Sequence, residues 1–436
     1  MKLFYSVVSM VACGIIGWSA EPLMLSTAYD MALKNEPHLR SLTLKTEATK
    51  ESTRQSKSRL HPQLQGSLSF GRYEYAGPYL NKPIKESYSS YSVTASQPLY
   101  HPELWSGIDE SKAREMAAQY ELKSEAQKLG LDVAKAYFEL LKTQSNIELY
   151  KSQKEYYEIK YKQLEEMLKF GLSNRIDLLE AKVHSDKASS EWLTEQKRLN
   201  VAKLHLEHLI KEPVGELPCF DFTGVDADEL FNERPMWESK LENNPALKAS
   251  LASKEMAMHE IAVRKYAHYP KVDLSLNRKE TYTQDYYSHK YDNQAIVQMS
   301  IPLYEGGYTQ SRVREGMILL DAAQEEVDYN RLDSKLKFEE QWAQWQLNVE
   351  TLQVLKESET SAELYVESIE KANKVGLKSL VDLLEAKAKL YEVKRDTINA
   401  GYELVNNYLS LLDVSGELNS ENMAILEKMA IHQGDK

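Results

Sequence analysis

The sequence has few of the residues that interrupt regular structure and few that could crosslink it. Its 436 residues include 17 glycines, 13 prolines and 2 cysteines. Few helix breakers in a chain of this length favour long uninterrupted helices. Cys13 lies in an apolar N-terminal run, so Cys219 is the only cysteine expected in the mature chain. That excludes an intrachain disulfide, and we expect Cys219 to be a buried or half-buried thiol.

An excess of basic residues is also absent. Lysine and arginine number 54 against 66 acidic residues, which gives a formal net charge of −12. Nucleic-acid binding requires a basic surface, so we predict no nucleic-acid partner. The sequence has no glycine-rich phosphate loop and no nucleophile elbow. His205, Glu207 and His208 form a possible metal-binding face, but a site needs three or four placed donors. We therefore predict no enzyme activity, cofactor or metal.

Residues 1–20 have the layout of a secretory signal peptide. Lys2 provides the positive end, an apolar run follows, and small residues precede a cleavage point near Ala20. Met10–Cys13 weakly resembles a lipoprotein cleavage box, so lipidation of Cys13 remains open. Beyond the signal, no apolar stretch of about 20 residues is present to form a transmembrane helix. An exported chain of this kind is periplasmic, extracellular, or held in the outer membrane by β-strands.

A thirteen-residue segment occurs in two related copies, at 170–182 and 375–387, and both copies contain Asp-Leu-Leu-Glu-Ala-Lys. In each copy a long helical pattern ends at a glycine, and a new amphipathic pattern begins with acidic residues. This order is typical of a helix–turn–helix tip. The acids pair as Asp177 with Glu180 and Asp382 with Glu385, three residues apart and so on one helix face. The plainer explanation is that acids suit helix N-termini.

Four segments alternate in polarity as strands do, at about 63–70, 91–97, 271–277 and 294–301. We expect the apolar positions of the third segment to face lipid and the polar ones to face a wet interior. Four strands cannot close a barrel, so strands in a membrane would have to be shared between chains. The alternative is a small soluble sheet. Tyrosines cluster near the strand ends, as in an interfacial girdle: Tyr73, Tyr75, Tyr79, Tyr88, Tyr282, Tyr286, Tyr287 and Tyr291.

The chain therefore reads as two tandem structural repeats, each with a helix, two strands, a very long helix, a tip and another long helix. The predicted fold class is mostly α-helical with a membrane β-barrel contribution. The predicted boundaries begin with the signal peptide at 1–20. Repeat 1 follows at 21–212, with strands about 63–97 and a tip about 170–175. A linker at 213–235 leads to repeat 2 at 236–414, with strands about 271–302 and a tip about 375–380, and a polar C-terminal tail follows at 415–436.

Taken in order, these features resemble the TolC-like outer-membrane efflux protein family over essentially the whole mature chain. The residues that carry the resemblance are the Asn35-Glu36-Pro37 and Asn243-Asn244-Pro245 breaks, Gln97-Pro98-Leu99-Tyr100, Ile301-Pro302-Leu303-Tyr304, both tips and the closing segment 409–418. The resemblance implies a homotrimer with a trimeric α-barrel topped by a shared 12-stranded β-barrel. It implies an outer-membrane exit duct that extends into the periplasm and works with a periplasmic adaptor and an inner-membrane transporter, in a tripartite efflux pump or a type I secretion system.

The resemblance also implies roles for residues at the tips. Asp382 and Glu385 match the acids that constrict the periplasmic entrance, and Asp177 and Glu180 match them in the first repeat. Lys378 stands where some members carry an arginine that holds the entrance shut, and Asn373 stands where some have a latch tyrosine.

The tips themselves are candidate docking sites for the adaptor: Gly171, Leu172, Gly376 and Leu377. The alternative is that the two leucines only cap their own hairpins. A different functional class, a periplasmic coiled-coil adaptor or scaffold without channel activity, remains a second hypothesis. The exported substrate is not encoded in any recognisable pattern of this chain.

Overall fold

The computed structural model describes residues 22–76, 84–215, 217–218, 234–283 and 290–431. The predicted signal peptide and most of the linker, with Cys219, lie outside these residues. So do Tyr79, Tyr286 and Tyr287, and the side chain of Tyr75. The predicted roles of these residues therefore stay predictions.

The order of elements follows the two predicted repeats. The first half contains α1 (Leu25–Asn35), α2 (Pro37–Ser58), β1 (Gln63–Tyr75), β2 (Ile84–Tyr100), α3 (Pro102–Lys169) and α4 (Arg175–Ile210). The second contains α5 (Arg234–Lys240), a 3-10 turn (Leu241–Asn243), α6 (Pro245–Tyr266), β3 (Lys271–Thr283), β4 (Lys290–Ser300), α7 (Tyr308–Lys374), α8 (Leu380–Val414) and α9 (Ser420–Ile431). At 1.5 Å per residue, α3 with its 68 residues is about 100 Å long.

In each repeat an asparagine at a helix break binds the end of a distant helix of the same repeat, Asn35 from two residues before Pro37 and Asn244 from directly before Pro245. Each lies at a break before a proline that begins a helix, a position suited to proline because its missing N–H would have no partner there. Nδ2 of Asn35 donates to the carbonyl oxygen of Ile210, the last residue of α4, at 3.1 Å. Nδ2 of Asn244 donates to the carbonyl oxygen of Val414, the last residue of α8, at 3.0 Å. These two asparagines thus satisfy carbonyls that the ends of α4 and α8 leave without an intrahelical donor.

The four strands form one antiparallel sheet in the order β1-β2-β3-β4. Its register aligns similar side chains across all strands. One row contains Leu64, Ala95, Leu276 and Ala295, and the next row contains Gln65, Thr94, Asn277 and Gln294. Because adjacent residues of a strand point to opposite faces, one face is apolar in this region and the other is polar. This confirms the alternation predicted from the sequence. Among the described strands, β1 and β4 each pair on one side only.

The helices repeat the lateral order of the strands. Near the sheet, α2 packs on α3, α3 on α6, and α6 on α7. Farther from the sheet, α4 packs on α3, α3 on α8, and α8 on α7. One lateral edge of the chain is therefore made of β1, α2 and α4, and the other of β4 and α7. None of the described helices is both long and apolar enough to cross a membrane.

The main core lies at the middle of the helical wall, where buried side chains of α1, α3, α8 and α9 meet and α1 packs on both α3 and α9. Tyr137 and Phe138 of α3 are fully buried there, with ring centroids 5.7 Å apart in an edge-to-face arrangement. The prediction of a polar tail after residue 414 is wrong for its first part. Met423 and Leu426 of α9 are buried in this core, because these two residues, three positions apart, share one face of a helix that packs on α1.

Candidate functional site: the hairpin tips

The first tip reverses the chain between α3 and α4 through a glycine in the left-handed conformation. Gly171 has φ 73°, a value that residues with a Cβ rarely adopt. Its backbone N–H donates to the carbonyl oxygen of Leu168 at 3.0 Å, and that of Leu172 donates to Met167 at 2.9 Å. These two bonds form a Schellman motif, which satisfies the last carbonyls of α3.

The second tip repeats this geometry between α7 and α8. Gly376 has φ 76°, its N–H donates to the carbonyl of Asn373 at 3.0 Å, and the N–H of Leu377 donates to Ala372 at 2.9 Å. The leucine side chains take no part in capping, since Leu172 is 72% exposed and Leu377 is 80% exposed. Both tips are turns between long helices, at the predicted positions. The role of the two leucines, in adaptor docking or only in their own hairpins, stays a prediction.

The acid of the second tip caps its own helix. Oδ2 of Asp382 accepts hydrogen bonds from the backbone N–H and the hydroxyl of Ser379, both at 2.8 Å, and Oγ of Ser379 accepts from the N–H of Asp382 at 3.0 Å. This is a reciprocal capping box. The hydrogen bonds from Ser379, followed by that from Lys378, lower the pKa of Asp382. Its carboxylate is therefore ionised at neutral pH and tied to its own tip.

The first tip is capped differently. Oδ1 of Asn174 accepts a hydrogen bond from the backbone N–H of Asp177 at 2.8 Å. The side-chain amide of Asn174 is therefore the N-cap of α4, as the hydroxyl of Ser379 is the N-cap of α8. Asp177 contributes its backbone to the cap, and its carboxylate is not the acceptor. Glu180 is half-buried and Glu385 is exposed. The carboxylate of Asp382 thus caps its helix directly, whereas Asp177 lies in the first turn of α4, where the helix dipole favours an acid without a capping bond. The roles of the four acids at an entrance stay predictions.

The two residues that depart from the family pattern contact the second tip itself. Nζ of Lys378 lies 3.3 Å from Oδ1 of Asp382. Nδ2 of Asn373 donates to the carbonyl oxygen of Lys378 at 2.9 Å, which spans the turn from the end of α7 to the start of α8. Both contacts lie within one hairpin, and they stiffen the tip locally.

An aromatic cluster that the sequence analysis missed joins the two hairpins above the tips. Tyr157 of α3 stacks on His184 of α4 with centroids 5.2 Å apart, and lies 6.4 Å from Tyr391 of α8. Tyr156 adds an edge-to-face contact with Tyr157 at 5.5 Å. Burial raises the pKa of Tyr157, so its hydroxyl stays protonated. The adjacent tyrosines in α3 were a signal, but the sequence did not show which helix faces them.

The candidate metal-binding face on α4 is not assembled. His205 and His208 line different grooves of the helical wall, and Oε1 of Glu207 accepts from the backbone N–H of Val214 at 3.1 Å. Across the described ranges, no three His, Cys, Asp or Glu side chains converge as metal ligands would. Trp345 is buried in the main core, and Trp342 packs against it.

Comparison with known proteins decides the family. Residues 28–210 and 237–417 match the family described as outer membrane efflux protein. The chain belongs to this family. It is an outer membrane efflux protein, placed in the outer membrane and extending into the periplasm, which confirms the predicted location and the interpretation as an exit duct.

Individual efflux proteins and their relatives match over nearly the full length. Outer membrane protein TolC of Vibrio cholerae serotype O1 is 24% identical over 440 residues, covering 97% of each chain. Proteases secretion protein PrtF of Dickeya chrysanthemi is 22% identical, covering 96% of this chain and 93% of its own. The structure of the outer membrane protein VceC from Vibrio cholerae superposes with a TM-score of 0.79 over 90% of this chain and 96% of that chain, at 16% identity. This last likeness establishes the shared fold.

Proposed function

We propose that three copies of this chain form one exit duct, a passive conduit gated at its periplasmic end. In this proposal the duct catalyses no reaction. It joins a periplasmic adaptor and an inner-membrane transporter, either in a tripartite efflux pump or in a type I secretion system. The relatives' names support both settings, since one relative is named for protease secretion and the family for efflux.

The lateral order of the elements is the observation that supports a closed ring of copies, and the resemblance to the TolC-like family supports three as their number. Sheet and helices both end in β1, α2 and α4 on one side and in β4 and α7 on the other. In lipid, each unpaired backbone group of an edge strand costs several kcal/mol. Pairing β1 of one copy with β4 of the next satisfies both edges by a head-to-tail contact, which closes into a ring. Three copies supply twelve strands, an even number within the range of known barrels.

Apolar side chains on the two outer helices support the same contact. Exposed leucine, isoleucine, valine and tyrosine side chains recur along α4 and α7 at helical spacings. They are Ile176, Leu179, Val183, Leu193, Val201 and Leu204 on α4, and Leu332, Leu336, Leu347, Val354, Leu364 and Tyr365 on α7. A soluble monomer rarely exposes such long apolar stripes, and packing α4 of one copy against α7 of the next would bury both.

The acids of the tips would gate the duct. In a ring of three copies, Asp382 and Glu385 each become a ring of three carboxylates, and Asp177 and Glu180 supply further negative charge nearby. Such rings attract cations and repel anions at a constriction. The low pKa of Asp382 supports this role, because its charge persists at periplasmic pH. Lys378 offsets part of that charge from within the same chain.

The exposed tips would dock the adaptor. Gly171 and Gly376 leave open space around their Cα atoms, since a Cβ placed on either would meet no atom within 4 Å. Leu172 and Leu377 project beside them as exposed apolar anchors. A partner backbone can therefore approach each turn closely and bury a leucine.

A disulfide crosslink tests the ring directly. Leu193 on α4 and Val354 on α7 lie at a similar number of residues from their respective tips, on opposite edges of one chain. In a Cys219→Ser background, we expect the double variant Leu193→Cys, Val354→Cys to give oxidised dimers and a ladder that stops at trimers on denaturing gels. Each single variant is the control and should give no ladder. A ladder that continues beyond trimers, or that never reaches them, would refute the three-copy ring.

A further inference from the structure

A groove of about 760 Å³ opens in the helical wall between α3, α4, α7 and α8. On α3 it is lined by Asp132, Ala136 and Glu139, whereas the neighbouring Tyr137 and Phe138 turn into the main core. The groove lies away from the tips, and of its lining only Ala136 and Leu209 also contact the main core. Its lining is rich in carboxamide and carboxylate side chains.

Two carboxamide oxygens at this groove have no donor. Asn407 is only 5% exposed, and its Nδ2 donates to the backbone oxygen of Gln341 at 3.1 Å and to Oε1 of the same residue at 2.8 Å. These bonds fix the orientation of the amide. Oδ1 of Asn407, and likewise Oδ1 of the adjacent Asn406, is buried and accepts no hydrogen bond from any residue in the described ranges. Buried acceptors without a donor are rare and costly.

The charged side chains around the groove also favour a positively charged ligand. Asp132, Glu139 and Glu403 line it together with a single lysine, Lys135. Glu139 also pairs with Lys142 outside the lining. A ligand that supplies only hydrogen-bond donors and a positive charge would satisfy both the amide oxygens and the carboxylates.

We propose that this groove binds an organic ammonium group, such as that of an aliphatic polyamine. An ammonium carries three donors and no acceptor, and hydrogen bonds from a charged donor to a carboxylate are about twice as strong as neutral ones. The asparagine oxygens orient the ammonium, and Glu403 neutralises its charge. A bare metal ion fits less well, because the described residues hold no cluster of three metal-ligating side chains. The site does not depend on the duct being open or attached to partners.

Calorimetric titration of the purified full-length protein in detergent with spermidine tests the proposal. We expect Glu403→Gln to weaken binding about tenfold, in line with loss of one hydrogen bond to a charged group. Asn406→Asp should tighten binding by a similar factor, because it adds a negative charge beside the same atoms. These opposite shifts cannot both arise from a damaged fold, and gel filtration verifies that each variant keeps its oligomeric state.

Glu357→Gln is the matched control, since it removes an exposed carboxylate of α7 that does not line the groove. It should leave the affinity unchanged. Absence of spermidine binding to the unaltered protein would overturn the proposal. So would equal weakening by Glu357→Gln and Glu403→Gln, which would show that only the overall negative charge attracts the polyamine. Either result would leave the crosslinking test of the duct unaffected.

Discussion

The hydroxyl of Tyr157 on α3 donates a hydrogen bond of 3.3 Å to the backbone carbonyl oxygen of Leu384 on α8. Both side chains are almost fully buried. This bond joins the first hairpin to the second a short distance above the tips. A gate that opens by moving one hairpin away from the other has to break it.

Tyr157→Phe should therefore loosen the second hairpin. The variant keeps the stacking on His184 but loses a hydrogen bond worth about 1 kcal/mol, which corresponds to about fivefold faster tryptic cleavage at the tip lysines. Tyr156→Phe is the control, because the buried Tyr156 hydroxyl has no hydrogen-bond partner among the described residues. That variant should cleave at the unaltered rate, and equal acceleration in both would show that the Tyr157–Leu384 bond does not restrain the hairpin.

The two tips should respond differently to acid. The pKa of Asp382 is lowered in the folded chain by its bonds to Ser379 and Lys378, so its stabilising effect is complete above the unfolded value of about 3.9. It is lost as the pH falls through the lower folded value. Asn174, which caps the first tip, does not titrate.

Hydrogen exchange, corrected for the intrinsic pH dependence, measures this difference at each tip. As the pH drops below about 3.9, we expect exchange to accelerate around Ser379 and Asp382 more than around Asn174 and Asp177. Asp382→Asn should remove this extra acceleration. Parallel behaviour of both tips in the unaltered protein would contradict the assignment.

Charge removal at the second tip should change ion selectivity. Asp382→Asn with Glu385→Gln keeps the size of both side chains while neutralising them, so the capping geometry is disturbed less than by alanine. In planar bilayers we expect the preference for cations to fall and block by multivalent cations to weaken by at least tenfold, because the carboxylate rings are lost. The same change at Asp177 and Glu180 is the comparison and should have a smaller effect. Unchanged selectivity and block in the first variant would remove Asp382 and Glu385 from the constriction.

Adaptor contact should depend on the exposed leucines. Cysteines that replace Leu172 or Leu377 in a Cys219→Ser background should crosslink to the adaptor in cells, because both side chains project from the turns. Ile159→Cys is the control, since Ile159 is 63% exposed on α3 but lies away from the tip. Crosslinks from position 159 but from neither tip would place docking on the side of the hairpin.

The buried face of α9 should contribute measurably to stability. Met423 is fully buried, and truncation of a buried methionine to alanine costs about 2–5 kcal/mol. Met423→Ala should therefore lower the thermal unfolding midpoint by several degrees. Met258→Ala, at a position 51% exposed, should leave it nearly unchanged. Equal midpoints for both variants would show that α9 is dispensable for the core.

The helix ends, the tips and the strands could be predicted from the sequence. Proline and asparagine mark where helices stop, the glycines mark the tips, and alternation marks the strands, because each of these signals acts through backbone geometry within a few residues. The tips predicted at about 170–175 and 375–380 accordingly fall between α3 and α4 and between α7 and α8. The two copies of Asp-Leu-Leu-Glu-Ala-Lys also revealed the internal repeat.

Only the tertiary structure showed which segments, distant in the sequence, contact one another. Identical Asp-Leu-Leu-Glu runs are capped by Asn174 in one tip and by the Ser379–Asp382 pair in the other. Tyr157 meets α8, and Met423 turns a polar-looking tail into part of the core. The lateral order that leaves β1, α2 and α4 on one edge and β4 and α7 on the other is a property of packing between distant segments. Sequence periodicity fixes which face of a helix is apolar, but only the assembled wall shows which apolar face is already covered.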